Sequence, residues 1–144
     1  GPEDEILLNG YSLGGMTAAY LAHRLSGPSQ FPGRRYNVVA VVTAGAPIGR
    51  VDVPDDVTVL ALENSSDVVP ILDGARNDDG PNVTTVVVDT DAWVGDAHTL
   101  EAGYLPAVDA VEDSDNPRVQ SALEAIQPFL EAESMTTRTF MLTR

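Results

Sequence analysis

Ile6-Leu7-Leu8-Asn9-Gly10-Tyr11-Ser12-Leu13-Gly14-Gly15 decides how this chain is read. A short apolar run feeds a Gly-x-Ser-x-Gly turn, and a helix-forming segment follows at once. That order predicts a strand, a sharp turn presenting the Ser12 hydroxyl, and a helix. A turn this tight brings strand and helix backbones together, so side chains at Gly10 or Gly14 are expected to clash. The residue after the serine opens the helix, which aims the Leu13 backbone N–H at any negative charge developing beside Ser12.

Outward from this turn, Glu5 to Asn9 reads as a buried strand and Leu13 to Leu25 as a helix. In that helix Leu21, Leu25, Ala18 and Ala22 are expected to form one apolar stripe, with Gly27-Pro28 as its stop and a polar loop through Gly33. Val38-Val39-Ala40-Val41-Val42 is apolar without alternation, the pattern of a strand covered on both faces in a parallel sheet. Val57 to Leu62 and Val83 to Val88 supply two more strands, separated by the breaker Asp79-Gly80-Pro81. A last helix is expected over Arg118 to Ala132, with Val119, Leu123, Ile126 and Leu130 on one face and Pro128 kinking or ending it. Thr136 to Leu142 has the propensity for an edge strand or a tail. The expected class is α/β: four buried, mostly parallel strands with intervening helices, flanking one sheet in a single domain over residues 1–144.

Composition narrows the function. Eight basic residues against twenty-two acidic ones leave a net charge of −14, which argues against nucleic acid or an anionic membrane as partner. All eight basic residues are arginine, which with abundant Ala, Val and Asp is the composition expected of a GC-rich bacterial genome. The absence of cysteine removes thiol nucleophiles and thiolate metal sites, and leaves the compartment, cytoplasmic or secreted, open. No apolar run has the length of a membrane span, and no signal peptide is visible.

A serine hydroxyl needs a base to take its proton and a carboxylate to orient that base. The chain has two histidines. His23 lies mid-helix, on the face opposite Leu21 and Leu25, and reads as a surface residue. His98 follows the fourth strand, where a loop carries it over the strand ends, and is the candidate base. Asp67 comes just past the third strand, at the edge where ligand and catalytic groups collect in open α/β sheets, and is the candidate acid. Asp89 is its best rival; Asp73 and Asp52 belong to polar turns where aspartate is common for backbone reasons. Asp89, Asp91 and Asp96 faintly suggest calcium but lack the glycine and glutamate of an EF-hand, so a solvated acidic loop is the better reading. Asp109 to Asp115 reads as a solvated acidic surface before the last helix, and the sequons at Asn64 and Asn82 count only in a secreted eukaryotic protein.

Taken together, these segments resemble the C-terminal part of an α/β-hydrolase, with its order of serine, acid and histidine. Gly10-Tyr11-Ser12-Leu13-Gly14-Gly15 resembles the elbow of lipase- and esterase-like members. Glu63-Asn64 through Asp67-Val68-Val69-Pro70, with Leu72-Asp73-Gly74 and Ala97-His98, is similar to actinobacterial lipase-like and GPI-inositol-deacylase-like hydrolases. The resemblance implies a serine ester hydrolase working through an acyl-enzyme. Ser12 would be the nucleophile, His98 the base, Asp67 the acid and the Leu13 N–H one oxyanion donor. It implies no cofactor and no metal, and a small-molecule or lipid ester as substrate. The four strands would be the family's fifth to eighth.

The departures from that family carry their own expectations. Its second oxyanion donor comes from a loop after an early strand, and nothing ahead of Glu5 supplies one. The chain opens almost directly on a core strand, as expected of a fragment whose N-terminus lies upstream. The strand at Ile6 to Leu8 would then be an edge, open to an edge-strand dimer or to pairing with the missing N-terminal half, and the fragment alone would be nearly inactive. The rival readings are a non-catalytic interaction module that keeps the elbow for packing, and an acyltransferase using the same triad.

Overall fold

The computed structural model describes residues 4–26, 36–77, 79–93 and 95–139. It is an α/β structure built on a four-stranded parallel sheet in the order β1 (Glu5–Tyr11), β2 (Asn37–Ala44), β3 (Thr58–Asn64), β4 (Val83–Val88). The helices are α1 (Leu13–Ser26), α2 (Leu105–Glu112) and α3 (Pro117–Leu130), with a 3₁₀ turn at Val69–Ile71 and a π-helical turn at Leu100–Tyr104. No described helix is long and apolar enough to cross a membrane.

The strands alternate their side chains between two apolar layers, as a sheet covered on both faces must. One layer joins Val41, Val59 and Ala61 to Ala18, Ala19 and Ala22 of α1. The other joins Ala40, Leu60 and Leu62 to Ala107 and Val111 of α2 and to Val119, Ala122 and Ile126 of α3. An irregularity breaks the β1–β2 register, because Ile6 pairs with Val38 but Leu7 pairs with Ala40. The skipped residue, Val39, shifts the alternation by one, so that Val38 and Val41 reach the same layer although three positions apart.

Several expectations need correction. Helices do not intervene between all the strands. Among the described residues α1 alone lies between two strands, and the β3–β4 connection holds only the 3₁₀ turn. The α1 layer is completed instead by the β2–β3 loop, through Ala46, Ile48, Val53 and Val57. Only β2 and β3 are deeply buried; among the described residues β1 and β4 have one neighbour each, and Ile6, Leu7 and Leu8 are half-exposed. The stripe of α1 is rotated from the expected one: Gly15, Ala18, Ala19 and Ala22 are buried, Leu25 is half-buried and Leu21 is exposed.

The cause of that rotation is at the elbow. A Cβ on Gly15 would stand 2.6 Å from the Ala46 Cβ and 2.8 Å from the Gly10 carbonyl oxygen, so α1 meets the sheet on its smallest residues. A Cβ on Gly10 would meet the Gly14 carbonyl carbon at 2.3 Å, as expected, whereas one on Gly14 meets nothing within 4 Å. The glycines that the close approach requires are therefore Gly10 and Gly15, not Gly14.

In α3 the packing face runs through Val119, Ala122 and Ile126, with Leu123 half-buried, while Leu130 is 71% exposed. Pro128 does not end the helix, which continues to Leu130. The acidic side chains of the run Asp109 to Asp115 are exposed, as a solvated surface before α3 requires, while its first half closes α2 and Val111 within it is buried. Thr136 to Arg138 and Thr139 form no strand, and the remainder of that expected strand lies outside the described residues, as do Gly27-Pro28 and the loop through Gly33.

Candidate active site

All the strands run in parallel, so the segments that follow β1, β3 and β4 emerge at one edge of the sheet. Ser12 is the residue between β1 and α1. It has φ 55°, in the left-handed region that a side-chain-bearing residue seldom occupies. Its conformation is held by its N–H, which donates to the Ala44 carbonyl at 2.8 Å, and by its own carbonyl, which accepts from the Gly15 and Met16 N–H groups. Leu13 stands first in α1, where a helix has no internal acceptor for its N–H and the helix dipole is positive.

Asp67 is placed by Asn64, the last residue of β3. The buried Asn64 side chain accepts from the Ser66 N–H (2.9 Å) and donates to Thr90 Oγ1 (2.7 Å) and to the Gly103 carbonyl (3.2 Å). One amide thus joins the end of β3, the segment after β4 and the π-helical turn. The Asp67 N–H donates to the Asn64 carbonyl, and the Asp67 Oδ1 accepts from the Val69 N–H at 2.9 Å.

These elements bring Ser12, His98 and Asp67 into one line. The Ser12 Oγ lies 2.9 Å from His98 Nε2, and His98 Nδ1 lies 2.6 Å from Asp67 Oδ2. The Asp67 side chain is 1% exposed and that of His98 30%. With the carboxylate ionised, Nδ1–H donates to Asp67, which leaves Nε2 free to accept from the Ser12 hydroxyl. The arrangement has the geometry required to move a proton from serine to imidazole and to hold the resulting imidazolium.

Two tyrosines complete the cluster, and neither was foreseen. Tyr104, 1% exposed, donates its hydroxyl to Asp67 Oδ2, the same oxygen that His98 uses. Burial pushes its hydroxyl pKa up, and the bond to Asp67 and that group's charge push it further. Tyr11 stacks on the His98 imidazole, with centroids 5.0 Å apart and planes at 25°, and its hydroxyl donates to the His98 carbonyl. Its pKa is also raised, by burial first and then by Asp67. The one available signal was position: Tyr11 precedes Ser12 in the elbow, and Tyr104 follows His98 by six residues. Gly103 permits the second, because a Cβ there would lie 2.0 Å from the Ala97 carbonyl oxygen.

The rival residues lie elsewhere in the bonding pattern. Asp89 accepts from the Asp91 N–H at 3.2 Å, and Asp73 accepts from the Ala75 and Arg50 N–H groups, as turn aspartates do. His23 donates from Nδ1 to the Asp52 carbonyl. Among the described residues no three acidic or histidine side chains converge closely enough to hold a metal ion, and Asp89, Asp91 and Asp96 form no such group. No family model matches this chain, and neither a curated protein nor a solved structure matches it significantly.

Proposed function

We propose that this chain belongs to a serine hydrolase of carboxylic esters, in the C-terminal half of an α/β-hydrolase fold. The observation that carries the reading is the continuous hydrogen-bonded line from Ser12 Oγ through His98 to Asp67, headed by a serine at φ 55° on a strand-to-helix turn. In the reaction Ser12 Oγ attacks the ester carbonyl carbon while its proton passes to His98 Nε2. The tetrahedral oxyanion lies against the Leu13 N–H, and Asp67 steadies the imidazolium. Collapse expels the alkoxide, which takes the proton from Nε2, and leaves the acyl group on Ser12. Water, deprotonated by His98, then attacks the acyl-enzyme and restores the serine with release of the carboxylic acid.

The substrate is an apolar or lipid ester. Exposed apolar side chains flank the triad in sequence: Leu13 after Ser12; Val68, Ile71 and Leu72 after Asp67; Leu100 after His98. The working enzyme is larger than this chain. On this reading a segment paired along the outer edge of β1, whose apolar residues stand half-exposed, supplies the second oxyanion donor. One donor alone lowers turnover by about 10²–10³-fold.

A fluorophosphonate probe tests the reading. Ser12 is expected to be modified, and Ser12→Ala to abolish the modification. Asp67→Asn is expected to slow it by about 10³–10⁴-fold, by presenting the wrong imidazole tautomer. Absence of labelling at Ser12 in the full-length enzyme would overturn the assignment.

A further inference from the structure

We infer that Tyr11 and Tyr104 are positioning residues that act on His98 in opposite senses, Tyr11 favouring its protonated form and Tyr104 opposing it. The inference rests on the proposed role of His98 as base. The three rings form one cluster, with His98 stacked on Tyr11 at 5.0 Å and edge-on to Tyr104 at 6.4 Å, and with the two tyrosines 6.0 Å apart.

The two tyrosines meet the triad at different atoms. Tyr11 lays the face of its ring along the imidazole, and an aromatic face carries negative charge that attracts a cation. When His98 takes the serine proton, that attraction grows, so Tyr11 favours the imidazolium. Its hydroxyl, bonded to the His98 carbonyl, fixes the backbone from which the ring hangs. Tyr104 is not stacked on the imidazole, since the two ring planes stand at 88°. Its hydroxyl donates to Asp67 Oδ2 and competes there with His98 Nδ1–H for the same oxygen. A carboxylate that already accepts from Tyr104 and, at Oδ1, from the Val69 N–H has less negative charge to offer the imidazolium. The titratable groups facing this cluster are Asp67 from the β3–β4 connection, the two tyrosines from β1 and the π-helical turn, and Glu63 of β3, whose charge reaches the Tyr104 hydroxyl.

The opposing senses separate this role from simple packing. Loss of the Tyr104 hydroxyl concentrates charge on Asp67 and makes His98 easier to protonate, whereas loss of the Tyr11 ring makes it harder. The chain contains only two histidines, so replacing His23 by Gln leaves a single imidazole signal to follow by NMR. In that background the titration midpoint of His98 is expected to rise in Tyr104→Phe and to fall in Tyr11→Leu, each by about half a pH unit. Tyr11→Phe keeps the ring face and loses only the bond to the His98 carbonyl, so it is expected to move the midpoint less than Tyr11→Leu, which separates the ring's effect from the hydroxyl's. Shifts in the same direction, or no shift in either variant, overturn the inference. Fluorophosphonate labelling of the same proteins keeps the two claims apart. Opposed shifts without labelling of Ser12 in the full-length enzyme retain the electrostatic pairing and reject the catalytic reading.

Discussion

Ser12 is held at φ 55°, where a residue bearing a Cβ has its side chain close to the following carbonyl. Such a conformation costs roughly 1–3 kcal/mol and persists only where neighbours impose it. Here the bond from the Ser12 N–H to Ala44 and the bonds that its carbonyl accepts from α1 impose it. Glycine has no such cost, so Ser12→Gly is expected to raise stability by about 1 kcal/mol while removing the hydroxyl that faces His98. Chemical denaturation of the two proteins checks this, with Ser12→Ala as the control that keeps the Cβ and gains nothing. The serine, histidine and acid were legible in the sequence because each closes or follows an apolar run and the chemistry admits few residue types. The chain has only two histidines, and His23 lies inside a helix. Tyr104 was not legible, because nothing in a linear pattern says that a tyrosine six residues past His98 turns back onto Asp67. The elbow glycines were half legible. The motif marks Gly10 and Gly14, but the crowded positions depend on how α1 lies on the sheet, and that contact falls on Gly15.

At the scale of elements, β2, β3 and β4 were visible as short runs rich in apolar and β-branched residues, and of these β2 and β3 are the ones covered on both faces. The segment Leu100 to Glu112 was not visible. Pro106 stands in its second helical position, where a missing N–H costs nothing, and only Ala107 and Val111 mark the buried face among acidic neighbours. In α3 the buried face is Val119, Ala122 and Ile126, and Leu130 points away from it. Ile126→Ala is therefore expected to cost about 2–4 kcal/mol, and Leu130→Ala less than about 0.5 kcal/mol, in urea denaturation. The π-helical turn carries the pH prediction. Its Tyr104 hydroxyl has a pKa raised above the ordinary 10.0 by burial, the bond to Asp67 and the Asp67 charge. A group whose pKa is higher folded than unfolded adds stability that is complete below the unfolded value and lost as pH rises towards the folded one. The stability of the chain is thus expected to fall above pH 10, and to fall less steeply in Tyr104→Phe, when denaturation is followed across that range.

The whole molecule carries a net charge of −14, with eight arginines as its only basic side chains. Mutual repulsion of this size destabilises the compact chain and opposes self-association. Among the described residues β1 is the end strand of the sheet, with apolar residues on both faces and a partner along one edge only. Two opposing terms therefore act on that edge: unpaired backbone and half-exposed Ile6, Leu7 and Leu8 favour a partner strand, and the acidic surface repels a second copy. Salt weakens only the second, since the screening length shrinks from about 30 Å at 0.01 M to about 3 Å at 1 M. Raising sodium chloride over that range is expected to increase the unfolding temperature. Light scattering is expected to shift from the monomer mass of 15.2 kDa towards about twice that value, by the doubling that one shared edge produces. A mass of 15.2 kDa at both salt concentrations and high protein concentration would mean that a second copy does not satisfy the edge. Pairing along β1 would then have to come from a different segment, the one proposed to complete the oxyanion site.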